Sequence, residues 1–221
     1  MSSDTAGRGP RAVLWDVDGT MIDSSEYHWA AWREALAAED FPLTREQFAV
    51  MFGRRNDEIL RGYFGDDYPA AEVARVGDAK EELYRRFVRE RGVKLLPGVG
   101  RWLGRLRAGG WLQAMASSAP RANLEAIAAA LGIGGYFDAV VSAEDVTAGK
   151  PDPQVFLAAA ARLGAAPAAC VVVEDAPAGT EAARRAGMRC VGVLTMHEHL
   201  KADLVVRTLE ELPEDAFDKL L

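Results

Sequence analysis

Short apolar stretches alternate along most of the chain with longer segments whose hydrophobic residues recur at helical spacing. The apolar stretches are continuous and rich in valine, a pattern typical of strands buried on both faces of a sheet. They occupy residues 12–15, 111–116, 139–141, 170–173, 190–194 and 204–206. A glycine directly follows each intervening helical segment, as expected at the end of a helix. These segments are residues 99–108, 120–131, 153–163 and 178–186.

The alternation predicts an α/β fold with a Rossmann-like, doubly wound parallel sheet, but it is interrupted once. Residues 25–92 contain no convincing strand and show helical patterns instead. These patterns lie at residues 26–38, 45–51, 57–63 and 70–91. We therefore predict a small α-helical domain, residues 25–92, inserted into a core formed by residues 11–24 and 93–221. The expected hinges lie near residues 22–25 and 93–98.

The length of 221 residues agrees with this organisation. At about 150 residues per domain, it corresponds to one full core with a smaller attachment rather than to two equal halves. Hydrophobic residues make up 49% of the chain, and no apolar run approaches the ~20 residues that cross a bilayer. We therefore expect no membrane partner. Residues 1–10 are small and polar, which predicts a disordered tail rather than a signal peptide.

Charge and cysteine content narrow the class of protein further. The formal net charge of -7 argues against a nucleic-acid partner, because a phosphate backbone favours a basic protein face. Cys170 and Cys190 lie in apolar stretches, which favours two buried free thiols in a reducing cytoplasm over a disulfide. Only five of the 26 basic residues are lysines, so a lysine beside other polar residues is a candidate for a specific role.

Two acidic residues follow the first predicted strand. Asp16 lies where this strand ends, and Asp18 points to the same side two residues later, before Gly19 permits a sharp turn. Ligands of doubly wound sheets bind outside the carboxyl ends of the strands, so both carboxylates are expected in that crevice. One carboxylate can attack a substrate while the other gives and takes a proton. A turn that merely caps a helix explains the same residues equally well.

A second acidic pair, Glu174 and Asp175, directly follows the predicted strand at residues 170–173. Buried acids are costly unless a cation compensates them, and oxygen ligands without histidine or cysteine suit Mg²⁺. The alternative is that Asp175 caps the helix that starts after Pro177. Because the first acidic pair lies at a neighbouring strand end, we favour a metal site.

One lysine and two serines complete the candidate site. Lys150 lies just before a predicted helix, where it favours an anion and screens the acids, although a solvated loop lysine is the more common case. Ser117 and Ser118 end the second strand and lead into a helix, an arrangement that offers a hydroxyl and backbone N–H groups to a phosphate. Serine turns are common, so this motif alone is weak.

Together these segments resemble the haloacid dehalogenase-like superfamily over nearly the whole chain. The first family motif corresponds to residues 16–20, the second to Ser117, the third to Lys150 and the fourth to Glu174 and Asp175. Within this superfamily, the chain is similar to the β-phosphoglucomutase-like and phosphatase-like subgroup. The stretches that carry this likeness are residues 174–179, 186–188 and 23–28. The resemblance implies that the helical insertion is that subgroup's cap domain.

The resemblance also implies roles for the site residues. Asp16 is expected to attack phosphorus and form an aspartyl-phosphate, while Asp18 protonates the leaving oxygen and then deprotonates the incoming water. Mg²⁺ is expected on Asp16, on the backbone carbonyl of Asp18 and on Asp175, with Glu174 bound directly or through water. Lys150 and Ser117 would stabilise the phosphoryl oxygens. Ser118 and Gly19 are further expected phosphate-binding positions.

Other chemistries on a related fold compete with this interpretation. A dehalogenase also uses an attacking aspartate, but it needs no Mg²⁺, and the acids at Asp18, Glu174 and Asp175 would be unhelpful there. A non-catalytic, receiver-like binding module shares an aspartate cluster, a hydroxyl and a lysine, but it is about half this length and lacks a helical insert. We therefore expect an enzyme that acts on a phosphate ester.

The insertion bears on the choice between hydrolysis and mutase chemistry. The arginine with which β-phosphoglucomutase grips a distal phosphate is replaced here by Asn56, and its Ser-Lys pair after the second motif is replaced by residues 119–120. We therefore predict a Mg²⁺-dependent phosphatase of a small phosphorylated metabolite. A phosphosugar mutase is the alternative if Arg54 or Arg55 replaces the missing arginine. A cytoplasmic monomer is the default expectation.

Four further residues of the insertion are singled out. His28 and Lys80 match positions that serve cap closure and substrate contact in the mutase, although a structural histidine and a solvated lysine explain them equally well. Trp29 and Trp32 lie three residues apart on one predicted helix, and we expect them to pack between the insertion and the core.

Overall fold

The structure is a computed structural model that describes residues 9–221. Its centre is one six-stranded sheet with the order β3-β2-β1-β4-β5-β6, in which every neighbouring pair is parallel. The strands are β1 Ala12–Trp15, β2 Leu112–Ala116, β3 Ala139–Val141, β4 Cys170–Glu174, β5 Arg189–Val193 and β6 Leu204–Val206. This sheet confirms the predicted α/β, Rossmann-like fold class. Residues 1–8 of the predicted disordered tail lie outside the described residues.

The helical insertion follows β1, as predicted. It contains α1 Ser25–Ala37, α2 Arg45–Met51, α3 Asn56–Phe64 and α4 Ala70–Arg91. The helices that cover the sheet are α5 Val99–Ala108, α6 Arg121–Leu131, α7 Gln154–Leu163, α8 Pro177–Arg185 and α9 Ala216–Leu220. Within residues 9–221, none of these helices combines the length and apolar character needed to cross a bilayer.

Three strands differ from the prediction by one residue: β5 spans Arg189–Val193 instead of residues 190–194, and the boundaries of β2 and β4 differ for identifiable reasons. Trp111 was expected in β2, but its N–H donates to the carbonyl of Leu106 and closes the end of α5. Glu174 was expected just after a strand, but it pairs with Gly192 as the last residue of β4. The acidic side chain of Glu174 therefore has the fixed direction of a strand residue.

Successive strand residues face opposite layers of helices. Val13 and Trp15 of β1 pack in one hydrophobic cluster with residues of α5, α6 and α9. Leu14, between them, packs in a second cluster with residues of α7 and α8. Because both faces are covered, most strand positions are hydrophobic, which explains the continuous apolar stretches. The exceptions are Gln113 in β2, Glu174 in β4 and Arg189 in β5. The sheet is thus doubly wound, and its strand ends open towards the insertion.

The insertion has a hydrophobic cluster of its own. This cluster includes Trp29, Trp32, Leu36, Phe48, Leu60 and Val76. The expectation that both tryptophans pack between the insertion and the core is therefore wrong. Their three-residue spacing places them on one face of α1, and that face is covered by helices of the insertion.

Two neighbouring chain segments connect the insertion to the sheet portion. Ile22 and Leu95 form an antiparallel bridge, and the N–H of Leu96 donates to the carbonyl of Met21 at 2.8 Å. The segments near residues 22–25 and 93–98, where we predict hinges, therefore lie side by side. The domain boundaries themselves stay a prediction.

We expect Gly98→Ala to destabilise the protein by about 2 kcal/mol or more. Gly98 precedes α5 with φ of 87°, and a Cβ atom there would lie 2.6 Å from the backbone nitrogen of Glu210. Gly104→Ala within α5 is the control, because a Cβ at Gly104 meets nothing within 4 Å. Alanine there should stabilise the helix by about 0.5–1 kcal/mol. Urea unfolding followed by circular dichroism measures both changes, and equal stabilities for the two variants would contradict the prediction.

Candidate active site

Lys150 joins the ends of β1 and β4. Its Nζ donates to Asp16 Oδ1 at 2.5 Å and to Glu174 Oε1 at 2.6 Å. Asp16 continues from β1, and its N–H donates to the carbonyl of Val173 at 3.0 Å, so the backbone holds its position beside β4. All three side chains are at most 10% exposed. The structure thus brings together three residues that are up to 158 positions apart in the sequence.

Electrostatics keep Lys150 charged in this buried place. Burial alone lowers the pKa of an ammonium group, but Asp16 and Glu174 outweigh it and hold the pKa of Lys150 above its ordinary value. A cation therefore remains between the two carboxylates over the whole range of physiological pH. This fixed charge is suited to attract an anionic group into the same crevice.

Asp175 completes a cluster of three carboxylates. One oxygen atom each from Asp16, Glu174 and Asp175 lies within 4.8 Å of the other two. Thr20 Oγ1 donates to Asp175 Oδ1 at 3.0 Å. Burial and the neighbouring carboxylates raise the pKa values of Asp16 and Asp175 above the ordinary value, and the single charge of Lys150 does not offset this. An all-oxygen, negatively charged cluster fits a hard divalent cation such as Mg²⁺.

Two glycines make room for this cluster. A Cβ atom at Gly19, whose φ is 86°, would lie 2.2 Å from Asp175 Oδ2. A Cβ at Gly179 in α8 would lie 1.7 Å from Glu174 Oε1. The backbone can therefore approach both carboxylates only because these two positions have no side chain. Gly19 was predicted to form the turn and to bind phosphate. The structure adds that its backbone packs against the carboxylate of Asp175.

Asp18 occupies a separate polar environment, directed towards the insertion. Its Oδ1 accepts hydrogen bonds from Ser24 Oγ at 2.5 Å and from Tyr84 OH at 3.2 Å, and His28 Nε2 lies 3.2 Å away. Burial raises the pKa of Asp18, but the interactions with His28 and Ser24 outweigh burial and lower it to about 2. Asp18 is therefore an ionised carboxylate in this arrangement. Lys80 Nζ lies 3.0 Å from the other ring nitrogen of His28.

The two serines lie at the end of β2, beside the carboxylates. The N–H of Ser117 donates to the carbonyl of Val141 at 3.1 Å, and its Oγ accepts from the N–H of Ala119 at 3.1 Å. The first N–H of α6, that of Arg121, donates to the carboxylate of Glu144. A phosphate at this end of the sheet would thus meet Ser117 and Ser118 rather than the first N–H of the helix.

A cavity of about 440 Å³ lies between the strand ends and the insertion. The sheet portion contributes the catalytic candidates to its wall, namely Asp16, Asp18, Ser117, Ser118, Lys150, Glu174 and Asp175. The insertion contributes the expected cap residues, namely His28, Arg54, Arg55, Asn56 and Lys80. Except for Gly19, every site residue that sequence analysis singled out lines this one cavity.

Several polar residues near the site were not predicted from the sequence, and Ser24, Tyr84, Glu81 and Asn123 are among them. Tyr84 was detectable, because it lies four residues after Lys80 and thus on the same face of α4. Glu81, whose side chain accepts hydrogen bonds from Lys80 and Asn56, had no signal besides its neighbour. Asn123 donates a hydrogen bond to Glu81 from α6, and no sequence signal pointed to it.

Comparisons with known proteins agree with this fold. A family model described as haloacid dehalogenase-like hydrolase matches residues 10–187, so the chain belongs to the haloacid dehalogenase-like hydrolase family. The chain is 36% identical to a β-phosphoglucomutase of Bacillus subtilis over 210 residues, which are 91% of each chain. It is 33% identical to the fructose-1-phosphate phosphatase YqaB of Escherichia coli over 183 residues, 82% of this chain and 95% of that protein.

A comparison with solved structures supports the same fold. The fold superposes on a crystal structure of β-phosphoglucomutase from Clostridium difficile with a TM-score of 0.86 and 26% sequence identity. The superposition covers 96% of this chain and 97% of that chain. The likeness therefore includes the helical insertion as well as the sheet.

The carboxylate cluster predicts a pH-dependent effect of Mg²⁺ on stability. An acidic group whose pKa is raised by folding contributes its full stability below its pKa in the unfolded chain, which is 3.8 here. This contribution is lost as the pH rises through its pKa in the folded protein. The metal-free protein should lose stability as the pH rises above about 4. Because a bound cation offsets this repulsion, Mg²⁺ should raise Tm more at pH 8 than at pH 5.

Differential scanning fluorimetry with Mg²⁺ or with EDTA measures this difference. Asp175→Asn should raise the Tm of the metal-free protein at pH 8 and reduce the shift caused by Mg²⁺. Asp66→Asn, at an exposed position outside the site, is the matched control and should behave like the wild type. A Mg²⁺ shift that is the same at both pH values would contradict a site formed by these acids.

Proposed function

We propose that this protein is a Mg²⁺-dependent phosphatase that hydrolyses a small phosphorylated metabolite through an aspartyl-phosphate on Asp16. The observation that carries the proposal is the charged cluster in which Lys150 bridges Asp16 and Glu174 beside Asp175. Phosphoryl transfer depends mainly on positioning and on neutralising charge, and this cluster is suited to both. The similarity to a named phosphatase and to a named phosphoglucomutase supports the same class of substrate.

Asp16 and Asp18 divide the chemistry between them in this proposal. A carboxylate oxygen of Asp16 attacks phosphorus, the ester bond breaks, and the leaving oxygen takes a proton from Asp18. A water molecule then attacks the phosphorus, gives a proton to Asp18 and releases Asp16 and inorganic phosphate. Lys150 and Ser117 donate hydrogen bonds to the phosphoryl oxygens throughout.

Asp18 needs a higher pKa for the first of these steps. Its pKa of about 2 in this arrangement suits a group that accepts a proton. A phosphate group beside Asp18 adds negative charge, which disfavours the ionised form and raises the pKa. We therefore expect the substrate itself to bring Asp18 into the protonated state that the first step requires.

The residues that would hold Mg²⁺ are Asp16, the backbone carbonyl of Asp18, and Asp175. Both oxygens of Glu174 already accept hydrogen bonds, from Lys150 at 2.6 Å and from the N–H of Ala176 at 2.6 Å. Contact between Glu174 and the ion through water fits this arrangement better than a direct bond. The bound ion would supply positive charge to the phosphoryl oxygens.

The insertion is proposed to act as a cap over the core formed by residues 11–24 and 93–221. Residues 25–92 form the other wall of the cavity and have a hydrophobic cluster of their own, while Tyr84, Phe87 and Val88 of α4 pack in the cluster of the sheet portion. The cap would exclude water and select the substrate. A monomeric state in the cytoplasm stays a prediction.

Asn56 favours hydrolysis over mutase chemistry. Its Nδ2 donates to Glu81 Oε1 at 2.8 Å, so the amide is already engaged, and it carries no charge for a second phosphate. Ala119 and Pro120 likewise offer no polar side chain after Ser118. A bisphosphate intermediate would therefore be held weakly, which favours its replacement by water.

A β-phosphoglucomutase-type reaction is the second candidate. Arg54 and Arg55 both line the cavity, and Arg55 packs beside Gly149, next to Lys150. The Nε of Arg55 donates to Asp57 at 3.1 Å, which leaves its terminal nitrogens available for an anion. Either arginine, if it bound the distal phosphate, would retain the bisphosphate long enough for the intermediate to rotate and present its other phosphate to Asp16.

Asp16→Asn is expected to abolish hydrolysis of p-nitrophenyl phosphate and of a panel containing fructose 1-phosphate, glucose 6-phosphate and β-glucose 1-phosphate. The amide is a poor nucleophile but has the same shape, so the circular dichroism spectrum should not change. Activity should require Mg²⁺ and disappear with EDTA. Phosphate release is the measurement, and either full activity of Asp16→Asn or undiminished turnover in EDTA would refute the proposed chemistry.

The mutase alternative is tested with β-glucose 1-phosphate and a trace of the 1,6-bisphosphate. Hydrolysis releases inorganic phosphate, whereas a mutase produces glucose 6-phosphate without net release. We expect phosphate to be the main product. Rapid accumulation of glucose 6-phosphate alone would favour the mutase, and its loss in Arg54→Ala or Arg55→Ala would identify the arginine responsible.

A further inference from the structure

Glu81 lies at the boundary between the insertion and the sheet portion. Its Oε1 accepts hydrogen bonds from Lys80 Nζ at 2.7 Å and from Asn56 Nδ2 at 2.8 Å. Its Oε2 accepts a hydrogen bond from Asn123 Nδ2 at 2.6 Å. Asn56 begins α3 and Lys80 belongs to α4, whereas Asn123 belongs to α6 beside the sheet. One carboxylate thus ties two helices of the insertion to a helix of the sheet portion.

These contacts are buried. The exposed fractions of Glu81, Lys80 and Asn123 are 4%, 2% and 0%. A buried carboxylate is costly unless its charge is paired and its oxygens accept hydrogen bonds. Lys80 supplies the paired charge from within the insertion, and Asn123 supplies the hydrogen bond of the second oxygen from the sheet portion. Full satisfaction of Glu81 therefore requires the closed arrangement of the two portions.

Lys80 connects this carboxylate to Asp18. Its Nζ donates both to Glu81 Oε1 at 2.7 Å and to His28 Nδ1 at 3.0 Å. Because Nδ1 accepts from an ammonium group, the imidazole proton is left on Nε2, which donates to Asp18 Oδ1 at 3.2 Å. The His28 ring also stacks on Tyr84 at a centroid distance of 4.2 Å, so its orientation is fixed. Lys80 thus orients His28, which is one of the three partners of Asp18 Oδ1 beside Ser24 and Tyr84.

We infer that Glu81 is the positioning residue of Asp18, which it aligns through Lys80 and His28 when Asn123 holds the insertion closed. The inference rests on the proposed function and deepens it, because Asp18 is the proposed proton donor. Glu81 itself makes no hydrogen bond to Asp16 or Lys150 among the described residues. Its effect on the reaction is therefore indirect and is exerted through Asp18, which gives a proton to the leaving oxygen and later takes one from water.

The leaving group of the substrate separates this effect from a general structural one. A sugar alkoxide leaves slowly unless it receives a proton, whereas p-nitrophenolate is a stable anion that leaves without one. A misaligned Asp18 should therefore slow a sugar phosphate far more than p-nitrophenyl phosphate. The ratio kcat/KM is the appropriate measure, because it includes departure of the leaving group but not the later hydrolysis of the aspartyl-phosphate.

The test compares Glu81→Gln with the wild type in the same Mg²⁺ buffer. The sugar phosphate is whichever of fructose 1-phosphate, glucose 6-phosphate and β-glucose 1-phosphate the wild type hydrolyses fastest. Glu81→Gln keeps the size of the side chain but removes the charge that orients Lys80. We expect kcat/KM for the sugar phosphate to fall by at least about 10-fold, a part of what general acid catalysis contributes. For p-nitrophenyl phosphate it should stay within about 3-fold of the wild type.

Glu90→Gln is the matched control on the same helix. Glu90 is exposed near the end of α4, away from Glu81 and its partners, so its substitution should leave both kcat/KM values unchanged. Asp18→Asn is the reference variant and should show the full dependence on the leaving group. If Asp18→Asn lacks this dependence, the proposed function is wrong about Asp18. If it shows the dependence while Glu81→Gln lowers both substrates equally, or neither, only the inference about Glu81 is overturned.

Asn123→Ala provides a second variant in case Glu81→Gln does not fold. It leaves the pair of Lys80 and Glu81 intact and removes the two hydrogen bonds of the Asn123 side chain, one donated to Glu81 and one accepted from Arg85 of the insertion. The same preference for a good leaving group is expected, with a fall of about 3- to 10-fold for the sugar phosphate. A folded Asn123→Ala protein, checked by its thermal unfolding, with unchanged or equally reduced kcat/KM for both substrates would overturn the inference.

Discussion

The buried ammonium group of Lys150 is the interaction on which the site depends. It lies within 2.6 Å of carboxylate oxygens from two different strand ends, in a place where burial opposes every charge present. Without it, Asp16, Glu174 and Asp175 would bring three buried negative charges together without a protein cation. With it, one of the three negative charges is neutralised, and the two that remain match the charge of a divalent cation. The cluster is thus incomplete as a purely protein structure, which is the physical reason it is suited to bind Mg²⁺ and phosphate.

The surrounding fold is arranged to make this cluster possible. Parallel strands end at the same edge of the sheet, so residues far apart in sequence meet there without long loops. Gly19 and Gly179 let the backbone approach the carboxylates at distances that a Cβ would forbid. The insertion covers this edge, and two of its polar residues, His28 and Tyr84, contact Asp18. The two proposed roles, nucleophile and proton carrier, therefore belong to two environments that are built from different parts of the chain.

The fold class was predictable because burial on both faces leaves a strong pattern in the sequence. Most positions of the six strands are apolar, and glycines mark the ends of the intervening helices, so the order of elements could be stated in advance. The placement of Trp29 and Trp32 was not predictable, because their spacing shows only that they share one face of α1. Which neighbour covers that face depends on how the four helices of the insertion pack. Glu174 was misplaced by one residue for a similar reason, since its pairing with Gly192 is a long-range contact.

The sequence alone determined the residue types of the site, the strand ends at which they lie, and the class of chemistry that they suit. This was possible because each motif is local and directly follows a recognisable strand. Only the tertiary structure decided that Lys150 is shared between Asp16 and Glu174, and that Asn56 is engaged by Glu81 rather than free. It also decided that Glu81 and Asn123 belong to the surroundings of Asp18. These contacts join residues 24 to 134 positions apart, and no local pattern encodes which side chains meet when separate elements pack.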